Sequence, residues 1–164
     1  MKIDISSILK IDDALLNIEL KEDMKFLDGI SEDVEFEQPV SVKGNIVNMG
    51  SVLKLTGELE VSYNTKCSRC LNDVNTKLNV QLREDFFEEG QNAEGAYTYA
   101  GRYVELEKVI KDNIILNLPA RQVCRDNCKG LCPGCGIDLN EKTCECKFKE
   151  SDPRLEALKN FFDN

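Results

Sequence analysis

The spacing of eight cysteines constrains this chain more than any other feature: Cys67-x2-Cys70, then Cys124-x3-Cys128-x3-Cys132-x2-Cys135, then Cys144-x-Cys146. A chain of 164 residues buries enough surface to hold a core without cross-links, so the thiols do not compensate for small size. The start, Met1-Lys2-Ile3-Asp4-Ile5, carries an acid where a secretory leader carries apolar residues. Apolar runs such as Ile114-Ile115-Leu116 are too short to span a bilayer. The expectation is a cytoplasmic protein, and in that reducing compartment cysteines serve as metal ligands more readily than as disulfides. Eight thiolates divide into two four-cysteine sites, the closed tetrahedral arrangement of structural Zn2+. Disulfides, an iron–sulfur cluster and rubredoxin-like iron are the competing readings.

How the eight pair up is open at this level. Chain locality puts Cys132, Cys135, Cys144 and Cys146 in one ribbon-like site and joins Cys67 and Cys70 to Cys124 and Cys128. An exchanged arrangement joins Cys67 and Cys70 to Cys132 and Cys135. The segment Cys132-Pro133-Gly134-Cys135-Gly136 has the composition of a metal knuckle: proline restricts the entry, and Gly136 permits the positive φ that turns backbone N–H groups toward sulfur.

The chain contains no histidine. The commonest general base is absent, and so is every Ser-His or Cys-His nucleophile arrangement, which argues against an enzyme. An open catalytic zinc site keeps a ligand position for water, whereas eight cysteines fill two closed sites without remainder. Net charge points the same way on partners. Residues 1–120 hold 13 Lys/Arg against 22 Asp/Glu, and residues 121–164 hold 8 against 8, for a net charge of −9. Eight thiolates and two dications take that to about −13. Extended wrapping of nucleic acid needs many phosphate-neutralising cations, so a basic protein partner suits this charge better.

Hydrophobic alternation defines a β-rich part over residues 1–120. Leu16, Ile18 and Leu20 alternate with polar residues, as do Val40, Val42 and Ile46, with Gly44 read as a bulge. Asn48-Met49-Gly50 signals a hairpin turn, after which Leu53, Leu55, Leu59, Val61 and Tyr63 alternate. Val74, Leu78, Val80 and Leu82 resume the pattern beyond Cys70, which places the first cysteine pair at a hairpin tip. The acids Glu84, Asp85, Glu88 and Glu89 and three glycines mark residues 84–102 as a flexible acidic stretch, a solvated loop or a dock for a basic partner. Leu106, Val109, Ile110 and Ile114 have helical spacing, giving a helix near 105–118 that ends before Pro119. Residues 121–164 then form a Cys-rich zinc module closed by a C-terminal helix behind Asp152-Pro153, with Leu155, Leu158, Phe161 and Phe162 as its apolar stripe. The expected class is α+β: an antiparallel meander, a few helices and a small metal module. Around the hairpin-linked cysteines gather Lys66, Arg69, Arg121, Arg125 and Lys129, which either neutralise a thiolate-rich metal or contact RNA phosphate.

These residues also resemble a known family. Cys67-Ser68-Arg69-Cys70 ends a β-rich half, and a helix follows, ending in Leu116-Asn117-Leu118-Pro119. Then come Cys124-x3-Cys128-Lys129-Gly130-Leu131-Cys132-x2-Cys135-Gly136-x-Asp138-Leu139-Asn140 and Asp152-Pro153-Arg154. The order is similar to the YceD-type family of large ribosomal RNA subunit accumulation proteins, in its longer Cys-rich Gram-positive form. That resemblance implies a ribosome-assembly factor supporting accumulation or processing of the large-subunit ribosomal RNA, with no established catalytic activity. It implies as partners a basic ribosomal protein or assembly factor, or ribosomal RNA through the local basic cluster. It also implies that Cys67, Cys70, Cys124 and Cys128 form one unit and that the later knuckle is an accessory. The rival functions are a redox-regulated zinc chaperone and a zinc- or thiol-dependent enzyme.

Overall fold

A long hairpin organises the molecule. In the computed structural model, which describes residues 1–23, 25–27, 30, 33–37, 39–90 and 96–146, strands β5 (Val52–Lys66) and β6 (Asp73–Glu88) pair antiparallel without a break from Val52↔Phe87 to Lys66↔Asp73. β2 (Leu15–Glu22) pairs with β4 (Val40–Asn48), and β4 with β5, both antiparallel. β3 (Val34–Phe36) takes the same edge of β5 beyond the end of β4. β7 (Tyr97–Tyr99) runs parallel to β6 at Phe86↔Tyr97, so the sheet is mixed where a purely antiparallel meander was expected. β1 (Lys2–Asp4) and β8 (Tyr103–Glu105) form a separate two-stranded ribbon.

One α-helix, α1 (Glu107–Asn117), and a 3-10 turn at Lys25–Leu27 are the helical elements among the described residues. The protein is thus mostly β, with less helix than an α+β reading anticipates, because turns closing around sulfur replace regular structure in the cysteine segment. The helix expected behind Asp152-Pro153 lies outside the described residues.

The core sits on one face of the sheet, as the alternation requires. Leu53, Leu55, Leu59, Val61 and Tyr63 of β5 are buried with Val40, Val42 and Ile46 of β4 and Val80, Leu82 and Phe86 of β6. Val109, Ile110 and Ile114 of α1, with Leu106, are buried with them, and α1 packs on β6. Ile5 and Ile8 complete the cluster from the segment after β1.

Two sequence expectations change. Gly44 is no bulge: the β2–β4 and β4–β5 registers pass through it unbroken, and it faces Gly57. A Cβ on Gly44 would lie 2.3 Å from the Thr56 carbonyl oxygen, and one on Gly57 2.4 Å from that of Lys43. The glycines let two backbones press together where side chains cannot fit. The acidic stretch is also no loop at its start. Glu84, Asp85 and Glu88 belong to β6, held by the fully buried Phe86, and Glu84 accepts a hydrogen bond from Asn113 of α1 at 2.8 Å.

Candidate metal centres

The β5–β6 hairpin ends in a tight turn that the sequence Cys67-x2-Cys70 closes around itself. The Cys67 N–H donates to the Asn72 carbonyl at 2.8 Å, and the Leu71 N–H donates to the Cys67 carbonyl at 2.9 Å. Both sulfurs are buried on the inner side of that turn. After α1 the chain returns to the tip, where the Ser68 N–H and Oγ both donate to the Gln122 carbonyl, at 2.8 and 3.0 Å. This clamp delivers Cys124 and Cys128. The four sulfurs of Cys67, Cys70, Cys124 and Cys128 lie within 4.8 Å of one another, with Cys67 to Cys128 at 3.9 Å and Cys70 to Cys124 at 3.7 Å.

Cys132, Cys135, Cys144 and Cys146 form the second set, again within 4.8 Å. Cys144 lies 3.3 Å from Cys132 and 3.5 Å from Cys135. The turn repeats the first: Cys132 N–H donates to the Ile137 carbonyl and Gly136 N–H to the Cys132 carbonyl, both at 2.8 Å. The grouping follows chain locality; the exchanged pairing of Cys67 and Cys70 with Cys132 and Cys135 does not occur.

Both sets have the chemistry of closed zinc sites. Four sulfurs about 2.3 Å from one zinc stand about 3.8 Å apart, close to the separations found. Backbone N–H groups aim at the sulfurs: Arg69 and Cys124 at Cys67 (3.5 and 3.4 Å), Gly134 and Cys135 at Cys132 (both 3.4 Å), and Cys146 at Cys144 (3.2 Å). Asn140 Nδ2 donates to Cys128 Sγ at 3.4 Å. Such donors favour the thiolate that a metal requires. The Cys70 N–H, helped by those of Cys124 and Arg69, pulls the Cys67 thiol down to about 6 against the effect of burial. Burial raises Cys132, yet the N–H groups of Cys135 and Gly134 bring it to about 6. Cys124, although the exposed member of its set, moves the other way, to about 12, through partial desolvation and then through the neighbouring Cys128 and Cys70 sulfurs. Each set is thus asymmetric: three of four thiols are buried in the first, whereas Cys135 and Cys146 of the second are exposed.

The cations divide by role. Arg69 Nη1 donates to the carbonyl oxygens of Cys128 at 2.8 Å and Asp126 at 3.2 Å, so it staples the hairpin to the later cysteine segment. Lys66 pairs with Asp73 across the hairpin at 3.1 Å, with both side chains exposed. Arg125 acts on Asp138, whose carboxyl is held below its usual range chiefly by the Asn140 N–H. Arg121 lines a cleft beside Cys67 together with Lys66. The Lys129 side chain is exposed, while its backbone N–H donates to Asn140 Oδ1 at 2.9 Å. Residue-type reasoning overlooked Ser68, Gln122 and Asn140 because their roles rest on contacts across more than ten residues. It also overlooked Leu71, although Leu in the place that Gly136 takes after the other Cys-x2-Cys was a readable signal.

The fold and site define a β-rich protein with two four-cysteine groups that could each hold a metal ion, one built on a hairpin tip and one beside it. The chain belongs to the YceD family, the large ribosomal RNA subunit accumulation proteins, whose model matches residues 55–162. An uncharacterized protein of Mycobacterium tuberculosis is 31% identical over 110 residues, covering 63% of this chain and 53% of the relative. The large ribosomal RNA subunit accumulation protein YCED homolog 1, chloroplastic, of Arabidopsis thaliana is 21% identical over 154 residues, covering 74% and 48%. Its Zea mays counterpart is 43% identical over 49 residues, covering 29% and 17%. The chain spans about half the length of the first of these relatives. No solved structure matches. No helix among the described residues is long and apolar enough to cross a membrane.

Proposed function

We propose that this chain is a cytoplasmic ribosome-assembly factor that supports accumulation or processing of the large-subunit ribosomal RNA as a non-catalytic, zinc-stabilised adaptor. The observation that carries the reading is the family match over residues 55–162, a span that contains all eight cysteines and both knuckles. Zinc would be held by Cys67, Cys70, Cys124 and Cys128 in one site and by Cys132, Cys135, Cys144 and Cys146 in the other. The metal supplies cross-links between distant segments, and its binding energy is folding energy. A non-catalytic role is supported by the absence of histidine from the chain and by the engagement of every thiol in a four-sulfur set. The net charge of −9 suits a basic ribosomal protein or assembly factor as partner. Local RNA contact falls to Lys66, Arg121, Arg125 and Lys129, since Arg69 is committed to backbone carbonyls.

Depletion in the native cells, with subunits and ribosomal RNA quantified on sucrose gradients, tests this. Selective loss of the large subunit and its RNA is the expected result. An unchanged profile in unstressed, cold and slow growth removes the assembly role. The redox-regulated zinc chaperone then leads, and the exposure of Cys135 and Cys146 favours it. In that reading hydrogen peroxide takes two electrons from two thiolates, forming a disulfide and water and releasing zinc. Peroxide that neither releases zinc nor raises holdase activity removes the alternative.

A further inference from the structure

One loop belongs to both four-sulfur sets. Residues 136–143 run between Cys135 and Cys144 of the second set, yet the loop's polar side chains reach the first. Asn140 Nδ2 donates to Cys128 Sγ at 3.4 Å and to Asp138 Oδ1 at 2.6 Å, while Asn140 Oδ1 accepts the Lys129 N–H at 2.9 Å. These partners allow one orientation of the amide. Turned over, it would set its NH2 against the Lys129 N–H and its oxygen against a carboxylate and a sulfur. Among the described residues, Asn140 is the only side chain other than cysteine that donates to a sulfur.

The loop is also anchored to the hairpin tip. Asp138 Oδ2 accepts from Asn72 Nδ2 at 3.2 Å, and the Leu131 N–H donates to the Arg69 carbonyl at 3.0 Å. The Leu139 N–H donates to the Gly130 carbonyl at 2.9 Å, beside the bridge between Leu131 and Asp138. Gly130 sits at φ +74°, and a Cβ there would lie 2.9 Å from the Arg69 carbonyl oxygen, so only glycine allows this approach. The donor to Cys128 is thus carried on a loop whose two ends are second-set ligands. Loading the second centre fixes that loop before the first centre needs it. With the second centre empty, the Cys144 end is free, and ordering Asn140 opposes binding at the first.

We infer that Asn140 is a positioning residue that couples the two centres: filling the exposed centre raises the metal affinity of the buried one. This rests on the zinc reading above and adds a direction of control to it. Such coupling is mutual, so each centre strengthens the other by the same factor. Cys135 and Cys146 are exposed, so the second centre meets a fall in zinc supply first, and the hairpin tip responds through Asn140.

The test titrates the full zinc-loaded chain with a competing chromophoric chelator and reads two release steps. The step missing from a Cys144→Ser, Cys146→Ser chain belongs to the second centre. Asn140→Ala keeps all eight ligands. It should weaken the second centre, measured with the first filled, about tenfold. It should change the first centre, measured with the second empty, by less than about twofold. Asn140→Asp should weaken the second centre at least as much, because a carboxylate donates nothing to sulfur and faces Asp138. If Asn140→Ala leaves both steps unchanged, the inference is overturned. It is equally overturned if the variant weakens the first centre in the chain that lacks the second, for Asn140 then only supports Cys128. A chain that takes up fewer than two ions removes the zinc reading and the inference together. Two ions with no coupling remove the inference alone, and the depletion experiment tests the assembly role independently of either.

Discussion

Arg69 Nη1 lies 2.8 Å from the carbonyl oxygen of Cys128, a residue 59 positions away, and the same nitrogen reaches the Asp126 carbonyl. Arg69 stands between Cys67 and Cys70 in the chain, so the guanidinium ties the two halves of that four-sulfur set together. Arg69→Ala should lower stability by about 1.5–3 kcal/mol, the value of a hydrogen bond from a charged group. Arg69→Lys should recover part of this, because both bonds come from the one nitrogen Nη1 and not from a two-pronged guanidinium edge. Denaturant unfolding decides it; equal midpoints for Arg69→Ala and the parent would mean that the staple carries no load.

Metal loss should be ordered. Titration of the purified chain with a colorimetric chelator is expected to show two zinc ions per chain, the first released well before the second. The early ion belongs to the centre with exposed Cys135 and Cys146. Cys146→Ser should retain one zinc with a small change in melting temperature. Cys67→Ser, at a fully buried ligand, should lower it by roughly 10 °C or more, as a loss of about 3–4 kcal/mol does in a chain of this size. Simultaneous release of both ions, with equal effects of the two variants, contradicts this ordering.

The Gly44–Gly57 contact makes a sharp stability prediction. Either glycine changed to alanine puts a methyl group within 2.3–2.4 Å of a backbone oxygen. Both strands must then separate in the middle of the sheet. A cost of at least about 1–3 kcal/mol is expected for each, against about 0.5 kcal/mol or less for Lys54→Ala on the exposed face. Thermal melts in which all three variants match the parent would show that the sheet yields easily there.

Tyr97 predicts the alkaline limb of stability. Burial, the hydrogen bond it donates to Asp112 at 3.1 Å, and the charges of Asp112 and Glu84 raise its phenol from 10.0 to about 12. A folded value above the unfolded one contributes stability that is complete below pH 10 and is lost as pH rises toward 12. Unfolding measured between pH 9 and 12 should therefore fall less steeply for Tyr97→Phe than for the parent. Parallel slopes would show that Tyr97 ionises as freely in the folded chain as in the unfolded one.

Much of this was written locally. The alternation Leu53, Leu55, Leu59, Val61, Tyr63 predicted both the strand and its buried face, and Leu106, Val109, Ile110 and Ile114 marked the helix and its core side. These signals are legible because strand and helix periods act between residues a few positions apart. Gly44 was misread for the opposite reason. A glycine inside a strand signals a bulge or a close approach alike, and only the facing Gly57, thirteen residues on, distinguishes them. Glu84 looked like part of a solvated loop because its partner Asn113 lies 29 residues away.

The same division runs through the centres. The sequence by itself determined that eight thiols stand at metal-ligand spacing, that no histidine is present and that the balance of charge is acidic, because residue identity and spacing need no coordinates. Tertiary structure chose between the local and the exchanged grouping of the sulfurs, and it alone decided that Arg69 serves the backbone while Arg121 faces a cleft and that β7 runs parallel to β6. It also decided that Leu71 points outward on a strained turn. Those outcomes depend on segments brought together across tens of residues, where the packing of the whole chain sets the geometry and no local pattern encodes it.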